Sequence, residues 1–234
     1  MSNIIKAVKP RPGTGTPPFV VDSRERILES YGDYLSDESR YGPAQADRLI
    51  IAHVEAQVSE ALVAAADAGV NVTVSAGRTG IVGGAVPTGG VLLSLAGMKS
   101  VLGIRKCAEG RFALRVEPGL SVAELKERLL TKDLGIDGAG QDPVARADLD
   151  AFLADDRAYV YPPDPTEDTA HLGATVATNA SGARSYRYGA TRRHVCGLRA
   201  SLTTGGVLAI ERGRCVANGR LFLLEGLDGS ELEV

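Results

Sequence analysis

The feature that most constrains this chain is AGRTGIVGGAVPTGG (76–90), six glycines in fifteen residues, which directly follows the stretch NVTVS (71–75). The β-branched residues of NVTVS predict a strand. Closely spaced glycines after a strand expose consecutive backbone N–H groups without Cβ obstruction. Such a concavity binds an anion, for example a phosphate or pyrophosphate. A tight structural turn also uses glycine at this density, so the residues alone leave both readings open. Two common phosphate loops are excluded by register. No Lys-Ser/Thr pair follows the glycines as in a Walker A loop, and A-G-R-T-G-I-V-G-G is not G-x-G-x-x-G. Glycine makes up 28 of 234 residues, about 12% against a usual ~7%.

The surroundings of the loop predict an α/β frame. RLIIAHV (48–54) reads as a buried strand. Val54, Val58, Ala61, Leu62 and Ala65 then fall at helical spacing, with Gly69 as the stop. Residues 48–75 therefore predict a β-α-β unit with parallel strands and a right-handed crossover. VLLSLAG (91–97) and RFALRVEPG (111–119) predict further strands, and Ser121 with Glu124 predicts a capping box for the next helix. GLRASLTT (197–204) and VLAIERG (207–213) flank Gly205-Gly206, a hairpin signal. Residues 1–20 read as a loose arm and SRERILES, within 22–47, as a short helix. Residues 132–158 carry seven aspartates without calcium-loop spacing and read as a solvated excursion with one short helix.

Composition removes several classes of function. Hydrophobic residues at 44% and charged residues at 24% fit an ordinary globular chain. A net charge of −3, no Trp and 5% aromatics argue against a nucleic-acid surface. The N-terminus has no apolar signal region, and no apolar run has the length of a membrane span. Cys107, Cys196 and Cys215 match neither a zinc nor an iron–sulfur spacing and read as reduced, mostly core thiols of a cytoplasmic protein. Peripheral membrane association stays open. His53, His171 and His194 form no metal pair and read as structural, so no metal is expected. No G-x-S-x-G elbow is present.

Two other stretches suit a ligand. LGATVATNASG (172–182) is dominated by small residues, which let a large flat ligand lie against backbone while Thr175, Thr178, Asn179 and Ser181 read its polar edge. Close packing of a helix or strand explains the same run equally well. Arg184, Arg187, Arg192 and Arg193, with His194, suit a phosphate or carboxylate, although a solvated face is the simpler reading.

The order of these pieces is more specific than any one of them. The glycine loop with VLLSLAGM, then VEPGLSVAEL, YPPDP, and LGATVATNASGARSYRYGATRRHVCGL resembles the FAD-linked oxidase family, the vanillyl-alcohol-oxidase type of flavoprotein. Within it the chain is similar to the D-lactate dehydrogenase and glycolate oxidase flavin-subunit group. The resemblance covers about residues 31–232. It implies an α+β FAD-binding domain of two lobes, a small β-α-β lobe and a larger mixed or antiparallel one with flanking helices, with FAD extended between them. The domain is expected over 48–234, after an arm and short helix at 1–47. The family's pyrophosphate loop falls on Ala76, Gly77, Arg78, Thr79 and Gly80, trailed by Gly83 and Gly84. Its PPDP turn falls on Pro162–Pro165, which makes Pro163 and Asp164 cofactor-binding candidates. Its Thr-Ile-Gly-Gly falls on His171, Leu172, Gly173 and Ala174. The flavin-lining stretch falls on Thr178, Asn179, Ala180, Ser181 and Gly182, and the Tyr-Gly pair on Tyr188 and Gly189.

The departures are as informative. Ala76 and Arg78 stand where the family prefers glycine, so Arg78 either crowds the loop or lends charge to the pyrophosphate. Thr79 stands where members with covalently bound flavin often carry histidine, which implies non-covalent FAD. Family members continue beyond a hairpin like the one ending at Val234, into a segment completing the flavin domain and a substrate cap that carries the catalytic base. The chain is thus expected to be a fragment or split-gene product. The resemblance implies oxidation of a small 2-hydroxy acid by hydride transfer to flavin N5, with no catalytic base named here and no electron acceptor specified. Two alternatives are a non-catalytic FAD-carrying subunit whose partner chain supplies the cap, and a truncated product without function.

Overall fold

The computed structural model describes residues 4–12, 16–42, 44–136, 143–163 and 166–233. It divides into two compact units, Met1–Gly97 with Val195–Val234, and Met98–His194. In chain order the first unit begins with β1 (Ile4–Val8), β2 (Phe19–Val21), α1 (Arg24–Ser30), β3 (Arg48–Ile51), α2 (Glu55–Asp67), β4 (Val72–Ser75) and β5 (Val91–Ser94). The second unit holds β6 (Val101–Lys106), β7 (Phe112–Val116), α3 (Val122–Thr131), α4 (Pro143–Leu153), α5 (Leu172–Ala177) and the single turn α6 (Ser185–Tyr188). The first unit resumes with β8 (Gly197–Ser201), β9 (Val207–Glu211), β10 (Leu223–Glu225) and β11 (Glu231–Glu233).

Strands buried on both faces read as continuous apolar runs and favour parallel neighbours. Strand β5 (VLLS) is buried at all four residues, and it takes a central place in the sheet β2-β3-β5-β4. It pairs in parallel with both β3 and β4, with Leu49 opposite Leu92. The β-α-β unit expected over 48–75 has its parallel strands, with β5 lying between them. Strand β4 is left at the edge, where Val74 is exposed. Helix α2 stops at Gly69 (φ +64), as expected. Helix α1 is capped by Ser23, which accepts from the Arg26 amide, and it buries Ile27 completely. Val21, Ile27, Leu35, Leu49 and Leu92 form the core of this unit.

The second sheet of the unit has the order β11-β10-β1-β9-β8. The hairpin of β8 and β9 is antiparallel, from Gly197 opposite Glu211 to Ser201 opposite Val207, and Gly205 turns it at φ +83. The N-terminal arm is not loose over residues 4–8. Strand β1 lies parallel to β10 and antiparallel to β9, and Lys6 pairs with Glu225 at 2.6 Å. The prolines and glycines that follow it in sequence obscured this strand. An ion pair of Glu55 with Arg199, at 2.6 and 2.7 Å, ties the start of α2 to β8.

In the second unit β6 and β7 form an antiparallel ribbon. The capping box is present: Ser121 Oγ accepts from the Glu124 amide at 3.0 Å, and Glu124 accepts from the Ser121 amide at 2.8 Å. The excursion over 132–158 contains its expected helix, α4, but it is not simply solvated. Leu134, Leu149 and Phe152 are buried with Leu120, Val122 and Leu125. Phe112, Phe152 and Tyr159 meet at ring separations of 5.2 to 5.4 Å, so α4 supplies part of the core. The cysteines are not core thiols either: Cys196 is exposed, and Cys107 and Cys215 are half-buried.

Candidate functional site

The glycine loop leaves β4 at Ser75, and Ala76 is still buried. Its return is firmly held. Asp47 accepts from the Gly90 amide at 2.7 Å, and the Asp47 amide donates to the Gly90 carbonyl at 2.8 Å. Gly90 sits at φ +73, and a Cβ there would lie 2.3 Å from the Asn71 carbonyl oxygen. Arg24 also bonds Asp47, and that bond, with the Gly90 amide, holds the Asp47 carboxyl below its ordinary value.

The middle of the loop is open. From Gly77 to Ala85 no backbone N–H is donated to any described residue. Ile81 and Val82 at the tip are 77% and 85% exposed. Arg78 occupies the left-handed region at φ +57, which costs a non-glycine residue about 1–2 kcal/mol. Of the two roles open to Arg78, the structure shows it both strained and drawn aside: its guanidinium carbon sits 4.5 Å from the centre of the Tyr34 ring, a cation–π contact.

One wall of the loop is the segment 34–41, which sequence reasoning did not single out. Tyr34 lies under Arg78. A Cβ on Gly80 would come within 4.0 Å of Asp37 Oδ2, and one on Gly83 (φ +73) would meet the Tyr41 Cβ at 3.3 Å. The segment thus runs alongside 78–83 in the same order. Asp37 is 8% exposed. Its Oδ1 accepts from the amide and hydroxyl of Ser39, whereas its Oδ2 has no partner among the described residues. The buried hydroxyl of Ser75, where the loop begins, likewise has none. No spacing rule points to Asp37; only the fold brings it to the loop.

The second group of expected residues belongs to the second unit, and it is built differently. Pro163 is buried, and Asp164 lies outside the described residues. His171 caps α5 and bridges to Ser121. The Leu172 and Gly173 amides donate to the Leu120 and Pro118 carbonyls at 2.8 and 2.9 Å. A Cβ on Gly173 would lie 2.4 Å from Pro118 Cβ, so this glycine permits close packing of α5. Thr178 Oγ1 donates back to the Ala174 carbonyl at 2.8 Å. Asn179 is left-handed at φ +50, and its Oδ1 accepts from the Arg192 amide at 3.0 Å. The Ala180 carbonyl accepts from both the amide and the hydroxyl of Thr191, and the Gly182 amide donates to Ser185 Oγ at 2.8 Å. Burial pushes the Tyr161 phenol up, against hydrogen bonds with Thr175 and Thr191. Ser181 is exposed. The Tyr188 carbonyl contacts His194 Nε2 at 2.9 Å, with Arg187 stacked on the Tyr188 ring.

The first group presents successive amides without an acceptor among the described residues and no acidic side chain on the loop itself. The second is a neutral, small-residue surface. Among the described residues no cluster of three His, Cys, Asp or Glu could hold a metal ion, and no helix is long and apolar enough to cross a membrane.

Comparison with known proteins places the chain in a family. The FAD binding domain family matches residues 46–145 and 141–211. The chain is 32% identical over 201 residues to a D-lactate dehydrogenase of Anaerostipes hadrus, covering 85% of this chain and 36% of that protein. It is 27% identical over 223 residues to a D-lactate dehydrogenase of Archaeoglobus fulgidus, covering 90% and 43%. Among solved structures, 6-hydroxy-D-nicotine oxidase from Arthrobacter nicotinovorans superposes with a TM-score of 0.60 at 15% identity, covering 87% of this chain and 38% of that one. The chain thus spans between a third and a half of the length of these relatives. It belongs to the FAD binding domain family. The α+β fold and the FAD cofactor expected from the sequence are both borne out, and the open amides of the glycine loop fit the dinucleotide's pyrophosphate.

Proposed function

We propose that this chain is the FAD-binding part of a flavin-dependent oxidoreductase that oxidises a small 2-hydroxy acid of the D-lactate type. The observation that carries the reading is the run of amides from Gly77 to Ala85 without an acceptor among the described residues, in a chain whose relatives include D-lactate dehydrogenases. In this reading Ala76, Gly77, Arg78, Thr79, Gly80, Gly83 and Gly84 hold the pyrophosphate. Pro163, Asp164, His171, Gly173, the Thr178–Gly182 backbone and Tyr188 line the flavin, which is held non-covalently. Bound FAD supplies a two-electron acceptor for the hydride leaving the substrate's α-carbon. The protein's own residues bind it and fix its orientation.

A second reading makes the chain an FAD-carrying subunit whose partner chain supplies the substrate cap.

The test is the visible spectrum of the purified chain after addition of FAD and desalting. A flavin band that stays with the protein is expected, and colourless protein overturns both readings. Bleaching of that band by D-lactate favours the first reading. Bleaching only after a partner or longer polypeptide is added favours the second.

A further inference from the structure

Resting on the reading of the glycine loop as the pyrophosphate site, we propose that Asp37 reads the dinucleotide itself: its Oδ2 accepts a hydrogen bond from a sugar hydroxyl beside the pyrophosphate. Asp37 is 8% exposed, and no donor among the described residues reaches Oδ2. A buried carboxylate oxygen without a donor is costly, so a protein that keeps one beside a ligand loop gains from a donor that the ligand brings. The side chain cannot swing away to find another. Its Oδ1 is held by the Ser39 amide at 2.9 Å and by the Ser39 hydroxyl, which fixes Oδ2 on the side of Gly80. Oδ2 thus faces the loop at Gly80, where a Cβ would stand 4.0 Å from it. Nearby Arg78 does not neutralise the carboxylate, because its guanidinium lies over Tyr34.

The chemistry selects the ligand group. A phosphate oxygen is an acceptor and a negative charge, so it is repelled by Oδ2 and stays on the loop amides. A bridging cation needs more protein oxygens than Asp37 offers, and no such cluster exists among the described residues. In a flavin dinucleotide the groups on either side of the pyrophosphate are sugars: the ribose of the adenosine half and the ribityl chain of the flavin half. Both carry hydroxyls, and carboxylates accept from sugar hydroxyls in other dinucleotide sites.

The experiment is titration of flavin dinucleotides into the cofactor-free full chain, followed by quenching of flavin fluorescence. Asp37→Asn is the informative variant. The Ser39 amide keeps the asparagine oxygen on its own side, so an NH2 group replaces Oδ2 and an acceptor becomes a donor. Asp37→Asn is expected to weaken FAD binding about ten- to hundred-fold. Two analogues distinguish the sources of the hydroxyl, one lacking the ribose hydroxyls and one lacking those of the ribityl chain. The substitution penalty is expected to vanish for whichever analogue lacks Asp37's partner. Equal or tighter FAD binding by Asp37→Asn overturns the proposal. So does a penalty that persists with both analogues, which would mean that Asp37 acts only by shaping the loop. If the unsubstituted chain binds no FAD, the pyrophosphate reading itself fails, an outcome separate from the other two.

Discussion

Two stretches rich in glycine and small side chains, 76–84 in the first unit and 171–182 in the second, direct their polar groups in opposite ways. Along the first, successive amides from Gly77 onward have no acceptor among the described residues. Along the second, the amides of Leu172, Gly173, Ala180 and Gly182 are all bonded within the unit, as are the Thr178 hydroxyl and the Asn179 amide oxygen. The same residue types therefore serve two physical ends. In the loop, a missing Cβ leaves backbone open to an anion. At α5, a missing Cβ lets one piece of backbone approach another. A ligand that meets the first stretch finds donors. One that meets the second finds mainly a shaped surface, with Ser181 and the exposed part of Tyr188 as its polar features.

The largest expected effect breaks the second stretch. Gly173→Val places a Cβ 2.4 Å from Pro118 Cβ and 2.9 Å from its Cα. Backbone cannot yield as a flexible side chain can, so urea unfolding of the second unit should show a loss of roughly 3 kcal/mol. A loss below about 0.5 kcal/mol, the range of a neutral surface change, would show that α5 slides freely and that Gly173 is no packing residue. Next comes Gly80→Val. Gly80 is exposed, and its nearest obstacle is Asp37 Oδ2 at 4.0 Å, so stability should change by less than about 0.5 kcal/mol. FAD affinity should nevertheless fall by at least roughly a hundredfold, because the new side chain stands over the amides. Equilibrium dialysis checks this, and unchanged affinity would return the loop to a purely structural role.

The local elements were legible in the sequence wherever local chemistry decides them. The Ser121–Glu124 capping box, the Gly69 stop and the Gly205 turn each depend on a few neighbouring residues, and each is where the spacing put it. What escaped depends on distant partners. Strand β5 lies between β3 and β4; its apolar run marks it as buried but does not say which strands flank it. Asp37 is at the loop only because the segment 34–41 folds against 78–83.

Arg78 falls between the two cases, since its identity raised the question and only its backbone answers it. At φ +57, Arg78→Ala keeps the strain and loses the Tyr34 contact, whereas Arg78→Gly loses the contact and relieves the strain. The alanine variant should be less stable than the glycine variant by about 1 kcal/mol. Equal stabilities in thermal or urea unfolding would show that position 78 relaxes out of the left-handed region once the arginine is gone.

The smallest effect sharpens the contrast through pH. The glycine loop is closed by a charge, whereas the second stretch is closed by neutral groups such as Thr191, Thr175 and the Ala180 carbonyl. Asp47 is held below the ordinary carboxylate value by Arg24 and by the Gly90 amide. A carboxyl lowered on folding contributes stability that is fully present above the unfolded value, near pH 4, and is lost as pH falls through the folded one. In that window the unfolded chain binds more protons, so stability rises with pH. Asp47→Asn removes this group. Its unfolding free energy should depend less steeply on pH below about 4 than that of the unsubstituted chain. The difference should be small, because the Arg24 pair is solvent-exposed. Hydrogen exchange locates the effect. The Gly90 amide, which donates to Asp47, should lose protection on acidification, while the Ala180 amide, bonded to the Thr175 carbonyl at 2.8 Å, should keep its own. Parallel loss at both amides would mean that the loop has no separate electrostatic closure and that acid acts on the whole fold.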